Sequence, residues 1–569
     1  MINHSFMRIY KLLCVVFLLL GGEMLMAQSQ HYDCTPRFPH KPTAEEQELI
    51  PTLGARARRM IENRSLPAAP VQSIAEFQPM SGVLVAYPLG IPVALIREMT
   101  QTVTVHVIVN HSSDTISARN YFLQNSINLE KVRFHTIAHD TYWTRDYGPW
   151  FIVDVDYNLS VIDFIYNRPA RINDDASLPA VANFLNLDYY NMPMVHTGGN
   201  FMADGYGTAA STTLLLDENP YESASSLSAI AHNYLGVEEY HLIEDPLGDY
   251  IEHIDCWGKF LAVDKVLIGQ VDPSDYRYSD YEAVADFFEN SLTPWGNHYQ
   301  VYRVYTPGAF SGVTPYTNSL ILNNFVFVPQ TGSPWDEDAL EVYRMAMPGY
   351  TIVPVMESPY TPWENTDALH CRTHELADSE MIFISHYPLL EDVIVNTPIS
   401  AEIVSLSGNN LVEDSVMLIY RVNRGDWNFE NLTYQGGNSW QAFASAAAVG
   451  DTVEYFLSAQ DVSGRRDFYP LVGAANPFRF VFTENTQVCD EEEVTVSIFP
   501  NPATQFCVVK GENLQSVEVF NQLGNKVAHY FVPDETIKIS TEHWASGVYI
   551  LQITTRDAQQ IRKKLIKLL

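Results

Sequence analysis

The chain has 569 residues, of which 46% are hydrophobic and 12% aromatic, and it carries a formal net charge of −34. That apolar content suffices for packed cores and excludes wholesale disorder, while the length predicts about three or four domains. The acidic balance argues against nucleic acid as a partner, because phosphates need clustered Lys and Arg.

Arg8 and Lys11 precede the apolar run Leu12–Leu20, and Leu25-Met-Ala27 offers a small-residue cleavage site. This pattern predicts a secretory signal peptide over residues 1–27. No later apolar run reaches the ~18 residues that a membrane span needs, so the mature chain is expected to be exported and soluble. Beyond Cys14 in the leader, the cysteines are Cys34, Cys256, Cys371, Cys489 and Cys507. Such an odd, sparse set is no disulfide framework and leaves at least one thiol free in an oxidising compartment. Whether Cys489 pairs with Cys507 stays open.

Residues 28–68 are polar and contain proline, with Arg56, Arg58, Arg59 and Arg64 around a short helical stretch. They read as a mobile N-terminal arm or, alternatively, a removable pro-segment. From 69 to 390, strand-like runs alternate with short helical ones: Gly82–Tyr87, Ile91–Met99, Thr104–Val109, Trp150–Asp156, Leu261–Val271 and Ser319–Val328. Asn323-Asn324 supplies a hairpin turn in the last run. Asp336–Met347 predicts a helix ended by Pro348-Gly349. The alternation predicts one large α/β unit.

After Asp392 helical periodicity disappears. Runs such as Ser415–Val422 and Asp451–Leu457, separated by Gly, Asn and Asp turns, predict a small immunoglobulin-like β-sandwich over 391–485. A polar, acidic linker, Thr483–Glu493, leads to a last β-unit over 494–569. This unit holds Ile498-Phe-Pro-Asn-Pro502, Val517–Phe520, Leu523-Gly-Asn-Lys526, Ser546–Ile550 and a basic end. The order of these pieces resembles the C-terminal sorting domain of type IX secretion. That resemblance implies the secretion machinery as a partner, passage across the outer membrane, and release or attachment at the cell surface.

Four stretches of the α/β unit are dense in polar and aromatic residues: Tyr142–Trp150, His196–Asp204, Tyr250–Gly258 and Asp367–Glu375. The glycine pair in the second can bring backbone close to a ligand. Read as a strand, the third puts Tyr250, Glu252, Ile254 and Cys256 on one face, and Ile251, His253, Asp255 and Trp257 on the other. A histidine and a carboxylate side by side suit acid/base work or cation binding. An isolated His-x-Asp is more often a structural pair.

Two thiols compete for the nucleophile's place. Cys256 adjoins Asp255, which raises a thiol pKa, and points away from His253, so it reads as core. Cys371 has His370 and Arg372 beside it and His374 three residues on. Those cations are expected to lower its pKa toward the thiolate, the inert buried thiol being the alternative. His253, Asp255, His370, Cys371 and His374 are ligand types that zinc accepts. Their spacing matches no zinc motif, so no metal is expected.

Trp143-Thr-Arg-Asp146, Gly198-Gly-Asn200, His253-Ile-Asp255 and Leu369-His-Cys371, in this order, resemble the guanidino-group-modifying superfamily. Within it the chain resembles the bacterial Porphyromonas-type peptidylarginine deiminases, relatives of the agmatine deiminases. The likeness runs from about Pro70 to Phe480 and includes Asp163–Pro169 and Pro315–Asn324. It implies a five-bladed, pseudo-symmetric α/β propeller with a central site, followed by the β-sandwich and the small C-terminal β domain. Position by position it implies Cys371 as nucleophile, His253 as general acid/base, Asp146 and Asp255 as guanidinium anchors, and Asn318 as the residue completing the site. Trp143 and Tyr250 would line the slot for the arginine's aliphatic part.

The implied reaction converts C-terminal peptidyl-arginine, or free arginine, to citrulline and ammonia without a cofactor. Arg168 matches the first of two arginines that hold the substrate carboxylate in the family. Arg171 lies one residue later than the pattern and fills the second place only if the loop absorbs that residue. The alternatives are an agmatine deiminase making N-carbamoylputrescine and a non-catalytic surface adhesin. Arg168 speaks against the first, since agmatine carries an amine and no carboxylate. Retention of all five catalytic positions speaks against the second.

Overall fold

The computed structural model describes residues 37–61, 65–248, 251–307, 314–484 and 496–567 except 502, 512, 522–525, 533–534, 545–546 and 557–559. The leader, Cys34, Tyr250, Cys489 and the linker core therefore lie outside the described residues. The chain divides into two compact units, 1–484 and 485–569.

The first unit opens with helix α1 (Ala44–Ile61) and a two-residue strand β1 (Gln72–Ser73). Strand β2 (Met80–Tyr87), helix α2 (Val93–Met99), β3 (Thr104–Val109), α3 (Ser112–Gln124) and β4 (Val132–Thr136) follow. β2, β3 and β4 are parallel neighbours. Val83–Tyr87 and Val107–Val109 are buried without alternation, as expected for parallel strands covered on both faces.

The next three groups share one plan, in which a hairpin is followed by a helix and by a strand parallel to the hairpin's second member. They are β5 (Trp150–Val153), β6 (Leu159–Tyr166), α4 (Leu178–Leu185) and β7 (Asp188–His196); β8 (Met202–Ala203), β9 (Thr208–Thr212), α5 (Ala224–Leu235) and β10 (Glu239–Ile243); and β11 (Gly258–Ala262), β12 (Lys265–Gln270), α6 (Tyr278–Asn290) and β13 (Gln300–Tyr305). A fourth group repeats it with β14 (Leu320–Leu322), β15 (Phe325–Gln330), α7 (Asp336–Ala346) and β16 (Thr351–Met356). The turn between β14 and β15 is Asn323-Asn324, with Asn323 at φ 55°.

The last strand, β17 (His374–Ala377), pairs antiparallel with β2 and so completes a fifth copy of the plan from opposite ends of the region. Five separate sheets result, each of three or four strands. The repeat is invisible at the level of residues because the loops between copies differ in length and composition.

Residues 382–483 form two further sheets. One holds Ile382–Ser385, Ile399–Ser405, Ser439–Ala442 and Thr433–Gly436, and the other is centred on Met417–Val422, Thr452–Gln460 and Phe478–Thr483. Ile399, Leu418, Trp440, Tyr455 and Phe480 share their core. Ile382–Ser385, which the sequence reading groups with the α/β part, is hydrogen-bonded into this assembly. The second unit holds a three-stranded and a four-stranded sheet around Cys507, Val517, Leu551 and Leu565.

Residues 37–61 are not the mobile arm expected from their polar composition. Leu53 and Ala57 of α1 pack with Ile165 and Val195 of β6 and β7, Arg56 pairs with Asp175 at 2.5 Å, and His40 and Glu46 are fully buried.

Because β17 and β2 join the two ends of the α/β region, their contact is a sensitive place to weaken it. Leu376, fully buried on β17 opposite Gly82, is predicted to cost about 2–5 kcal/mol when replaced by Ala. Urea unfolding of Leu376→Ala followed by tryptophan fluorescence measures this loss.

Candidate active site

Each of the five antiparallel pairs is preceded, within two to five residues of its leading strand, by a candidate residue. Asp146 precedes β5, Gly199-Asn200 precede β8, His253 and Asp255 precede β11, Asn318 precedes β14, and Cys371 precedes β17. These segments meet. Asn318 Nδ2 lies 3.1 Å from Cys371 Sγ, and its Oδ1 accepts from the Cys371 and Ala368 backbone N–H groups at 3.2 and 2.9 Å. Asp255 Oδ2 is 3.5 Å from the same sulfur. His253 Nδ1 lies 3.7 Å from Asp146 Oδ1. His253, Asp146, Asn318 and Cys371 are all 0% exposed.

The glycine pair serves the protein rather than a ligand. A Cβ on Gly198 would lie 2.0 Å from the Arg145 carbonyl oxygen, and one on Gly199 would lie 2.6 Å from His253 Nδ1 and 3.0 Å from Asp146 Oδ1. Only residues without a side chain allow the loops to approach this closely. Asn200 Oδ1 accepts from Thr212 and Ile254 N–H at 2.8 and 3.3 Å, which fixes the chain just after His253.

His253-x-Asp255 is not on a strand. Glu252 has φ 54°, and Ile254–Cys256 form a single 3-10 turn. The alternating-face reading therefore fails, and Cys256 sits by the nucleophile candidate, with Sγ 3.7 Å from Asp255 Oδ1. Burial and Asp255 push the Cys256 thiol up to about 11.

The expected cationic activation of Cys371 is also absent. Burial, the Cys256 contact and Asp255 push its thiol well above the ordinary range, because its basic neighbours face elsewhere. His370 Nδ1 pairs with Asp255 Oδ2 at 2.6 Å and its Nε2 with Glu76 at 3.1 Å. Arg372 pairs with Asp367 at 2.9 Å. His374 is buried against the Glu375 carbonyl.

Burial holds His253 down at about 4, against the pull of Asp146 and Asp255. It is thus a neutral ring, and among the described residues neither nitrogen has a hydrogen-bond partner. Burial would raise both carboxyls, but the His40 imidazolium holds Asp146 at about 2, and the hydrogen bond from His370 lowers Asp255.

Arg168 and Arg171 come together. The Arg171 N–H donates to the Arg168 carbonyl at 3.0 Å, closing a turn between them. Arg168 Nε and Arg171 Nη2 then both reach the His40 carbonyl oxygen at 3.3 Å. The Trp143 ring lies flat on the His40 ring at 4.6 Å and 6°, and Trp143 Nε1 donates to Asp367 at 2.8 Å. Tyr250 lies outside the described residues.

Sequence reasoning missed His40, Asp367 and Glu76. Asp367 was within reach, standing in the same motif as Cys371. His40 and Glu76 sit in stretches whose composition marks nothing.

A family model described as Porphyromonas-type peptidyl-arginine deiminase matches residues 75–376. The chain belongs to this family. Agmatine deiminase of Medicago truncatula is 26% identical over 313 residues, which is 46% of this chain and 83% of that protein. Agmatine deiminase of Enterococcus faecalis is a solved structure 20% identical, with a TM-score of 0.48 over 55% of this chain and 98% of its own. A second solved structure, agmatine deiminase of C. jejuni, is 16% identical with a TM-score of 0.46 over 54% and 96%. The end of the deiminase, residues 497–568, matches a secretion system C-terminal sorting domain, which marks the chain for secretion to the cell surface. No described helix is long and apolar enough to cross a membrane.

His40 gives the deiminase a pH dependence. Burial opposes its charge, yet Asp367 and Asp146 raise its pKa from 6.5 to about 9. A raised histidine contributes stability that is complete below its unfolded value and lost as pH rises through the folded one. The excess melting temperature of wild type over His40→Gln is therefore predicted to be full below pH 6.5 and to vanish through about pH 9. Differential scanning fluorimetry across that window checks it.

Proposed function

We propose that the chain hydrolyses the guanidinium of C-terminal arginine in peptides to citrulline and ammonia. The observation that carries this is one buried point where Cys371 Sγ, His253, Asp146, Asp255 and Asn318 meet, with Arg168 and Arg171 converging on a peptide carbonyl beside it. A planar cation set between Asp146 and Asp255 would present its carbon to the thiol, with both partners already oriented. A guanidinium there also brings positive charge beside Sγ, drawing the thiol pKa down from where burial puts it.

The thiolate forms a bond to the guanidinium carbon. His253, neutral at the outset, takes the thiol proton as this bond forms; one carbon–nitrogen bond then breaks, and the nitrogen leaves as ammonia carrying that proton from His253. His253 then takes a proton from water, whose oxygen bonds to the carbon as the carbon–sulfur bond breaks. Citrulline is released and the thiol restored. Asn318 Nδ2 is placed to stabilise the sulfur through both halves of the cycle.

In this reading the five hairpin-led groups are blades of a pseudo-symmetric propeller over residues 69–390, supported by the shared order of hairpin, helix and parallel strand. Residues 391–485 are an immunoglobulin-like domain, 494–569 the sorting domain and 1–27 a cleaved signal peptide. The enzyme acts on arginine-containing peptides or proteins outside the cell. The agmatine reading draws on the relatives' activity, but two buried guanidinium groups where agmatine carries its amine oppose it.

Cys371→Ala is predicted to lower citrulline formation at least about 10³-fold, as loss of a covalent nucleophile does. Retained turnover by this variant would refute the mechanism. Arg168→Ala is predicted to raise KM for peptides ending in arginine about 10- to 100-fold, the worth of a charged hydrogen bond, and to leave agmatine turnover nearly unchanged. A colorimetric citrulline assay with a peptide ending in Arg, one with internal Arg, free arginine and agmatine reads both. Equal losses on peptide and agmatine would remove the carboxylate clamp.

A further inference from the structure

The place this mechanism assigns to the substrate is filled by the chain's own N-terminal segment. The His40 ring lies between two carboxylates, with Nε2 2.8 Å from Asp146 and Nδ1 3.1 Å from Asp367. It stacks flat on Trp143 and meets the His253 ring edge-on at 5.7 Å. A ring nitrogen, a Cys371 sulfur and an Asp367 oxygen lie within 4.8 Å of one another, as do ring nitrogens of His40 and His253 and an oxygen of Asp146. A planar cation thus sits against the nucleophile, the proton carrier and a guanidinium anchor at once.

The two arginines are occupied in the same way. Arg168 Nε and Arg171 Nη2 take the His40 carbonyl, and Arg171 Nη2 also takes the Pro39 carbonyl at 2.6 Å. The Arg171 guanidinium pairs with the Glu46 carboxylate at 3.1 Å. Glu46 is held in turn by reciprocal hydrogen bonds with Thr43 at the start of α1, at 2.9 and 3.1 Å. Phe38 lies under Arg171 at 5.5 Å. Side-chain cation, main-chain carbonyl and carboxylate are the three groups of a peptide ending in arginine; here the cation meets Asp146, one of the two proposed anchors, and the carboxylate meets Arg171. An imidazole offers the thiol no guanidinium carbon, so the segment can occupy the site without being turned over.

We infer that residues 37–48 are a built-in pseudosubstrate that keeps the enzyme latent until the segment leaves. The inference rests on the deiminase reading for what is blocked, though not for the blockage itself. Besides these polar contacts and the Arg56–Asp175 pair, Leu53 and Ala57 of α1 hold the segment to the β6–β7 face. Arg58 and Arg59, near the end of that helix, are exposed and offer a cut that would leave the plug bound only by non-covalent contacts.

The test uses full-length wild type, His40→Ala, Glu46→Gln, and wild type nicked briefly with trypsin until mass spectrometry shows cleavage at Arg58 or Arg59 and the remainder intact. Two rates are read: citrulline from a peptide ending in arginine, and alkylation of Cys371 by 2-chloroacetamidine, located by mass spectrometry. His40→Ala and the nicked protein are expected to exceed wild type at least about tenfold in both, with Glu46→Gln between. A synthetic peptide of residues 37–61 should restore protection to the nicked protein, and its His40→Ala form should not. Equal alkylation and equal turnover across all forms would overturn the plug while leaving the deiminase intact. Faster alkylation with no citrulline from any form would keep the plug and overturn the deiminase.

Discussion

Asp255 and Asp367 lie beside one sulfur and Asp146 joins them through His40, and the site depends on how the charge of these three buried carboxylates is met. An ionised carboxylate away from water is tolerable only when paired and hydrogen-bonded. His370 answers Asp255, Arg372 answers Asp367, and His40 bridges Asp146 and Asp367. The first two partners flank Cys371 in sequence and belong to its own loop. The third arrives from another part of the chain and is the one that can be exchanged. A cluster so charged favours any flat cation of the right width, which suits an enzyme for guanidinium groups and equally a device that imitates one.

The pairing has a cost for the nucleophile. By facing Asp367, Arg372 is lost to Cys371 as an activating charge, and the thiol stays protonated in this state. In the proposed reaction the activating charge is the substrate's guanidinium, set beside the sulfur where the His40 ring now lies. Asn318, with one side-chain atom on the sulfur and the other on two backbone N–H groups, keeps the loop in place.

Most of what was legible in the sequence was local. The β3 run, the Asn323-Asn324 turn and the helix ended by Pro348-Gly349 follow from apolar period and turn chemistry, and they stand in the fold where the residues put them. The functional segments were found because polar and aromatic residues accumulate where a core strand would not have them. The strand assigned to His253-Ile-Asp255 failed for a nearby reason, since alternation over a few residues cannot reveal the left-handed backbone at Glu252. Arg171 could be placed only by the turn that it closes onto Arg168. His40 had no signal at all, being one histidine in a polar stretch whose role exists only through contacts with residues more than a hundred positions away. The fivefold plan was hidden similarly, because it resides in hydrogen-bond topology rather than in repeated letters.

The pairing of β17 with β2 joins the beginning of the α/β region to its end, and Cys371 lies just before that seam. The nucleophile therefore shares the fate of the last strand to be placed. In chain order every other candidate residue precedes it, and the thiol reaches them only when the final strand docks on the first. A partial opening at the seam would carry the sulfur away from Asn318 while the four other hairpins remained paired. Reactivity is in this way coupled to completion of the fold, which suits a protein that must cross a cell envelope before it works.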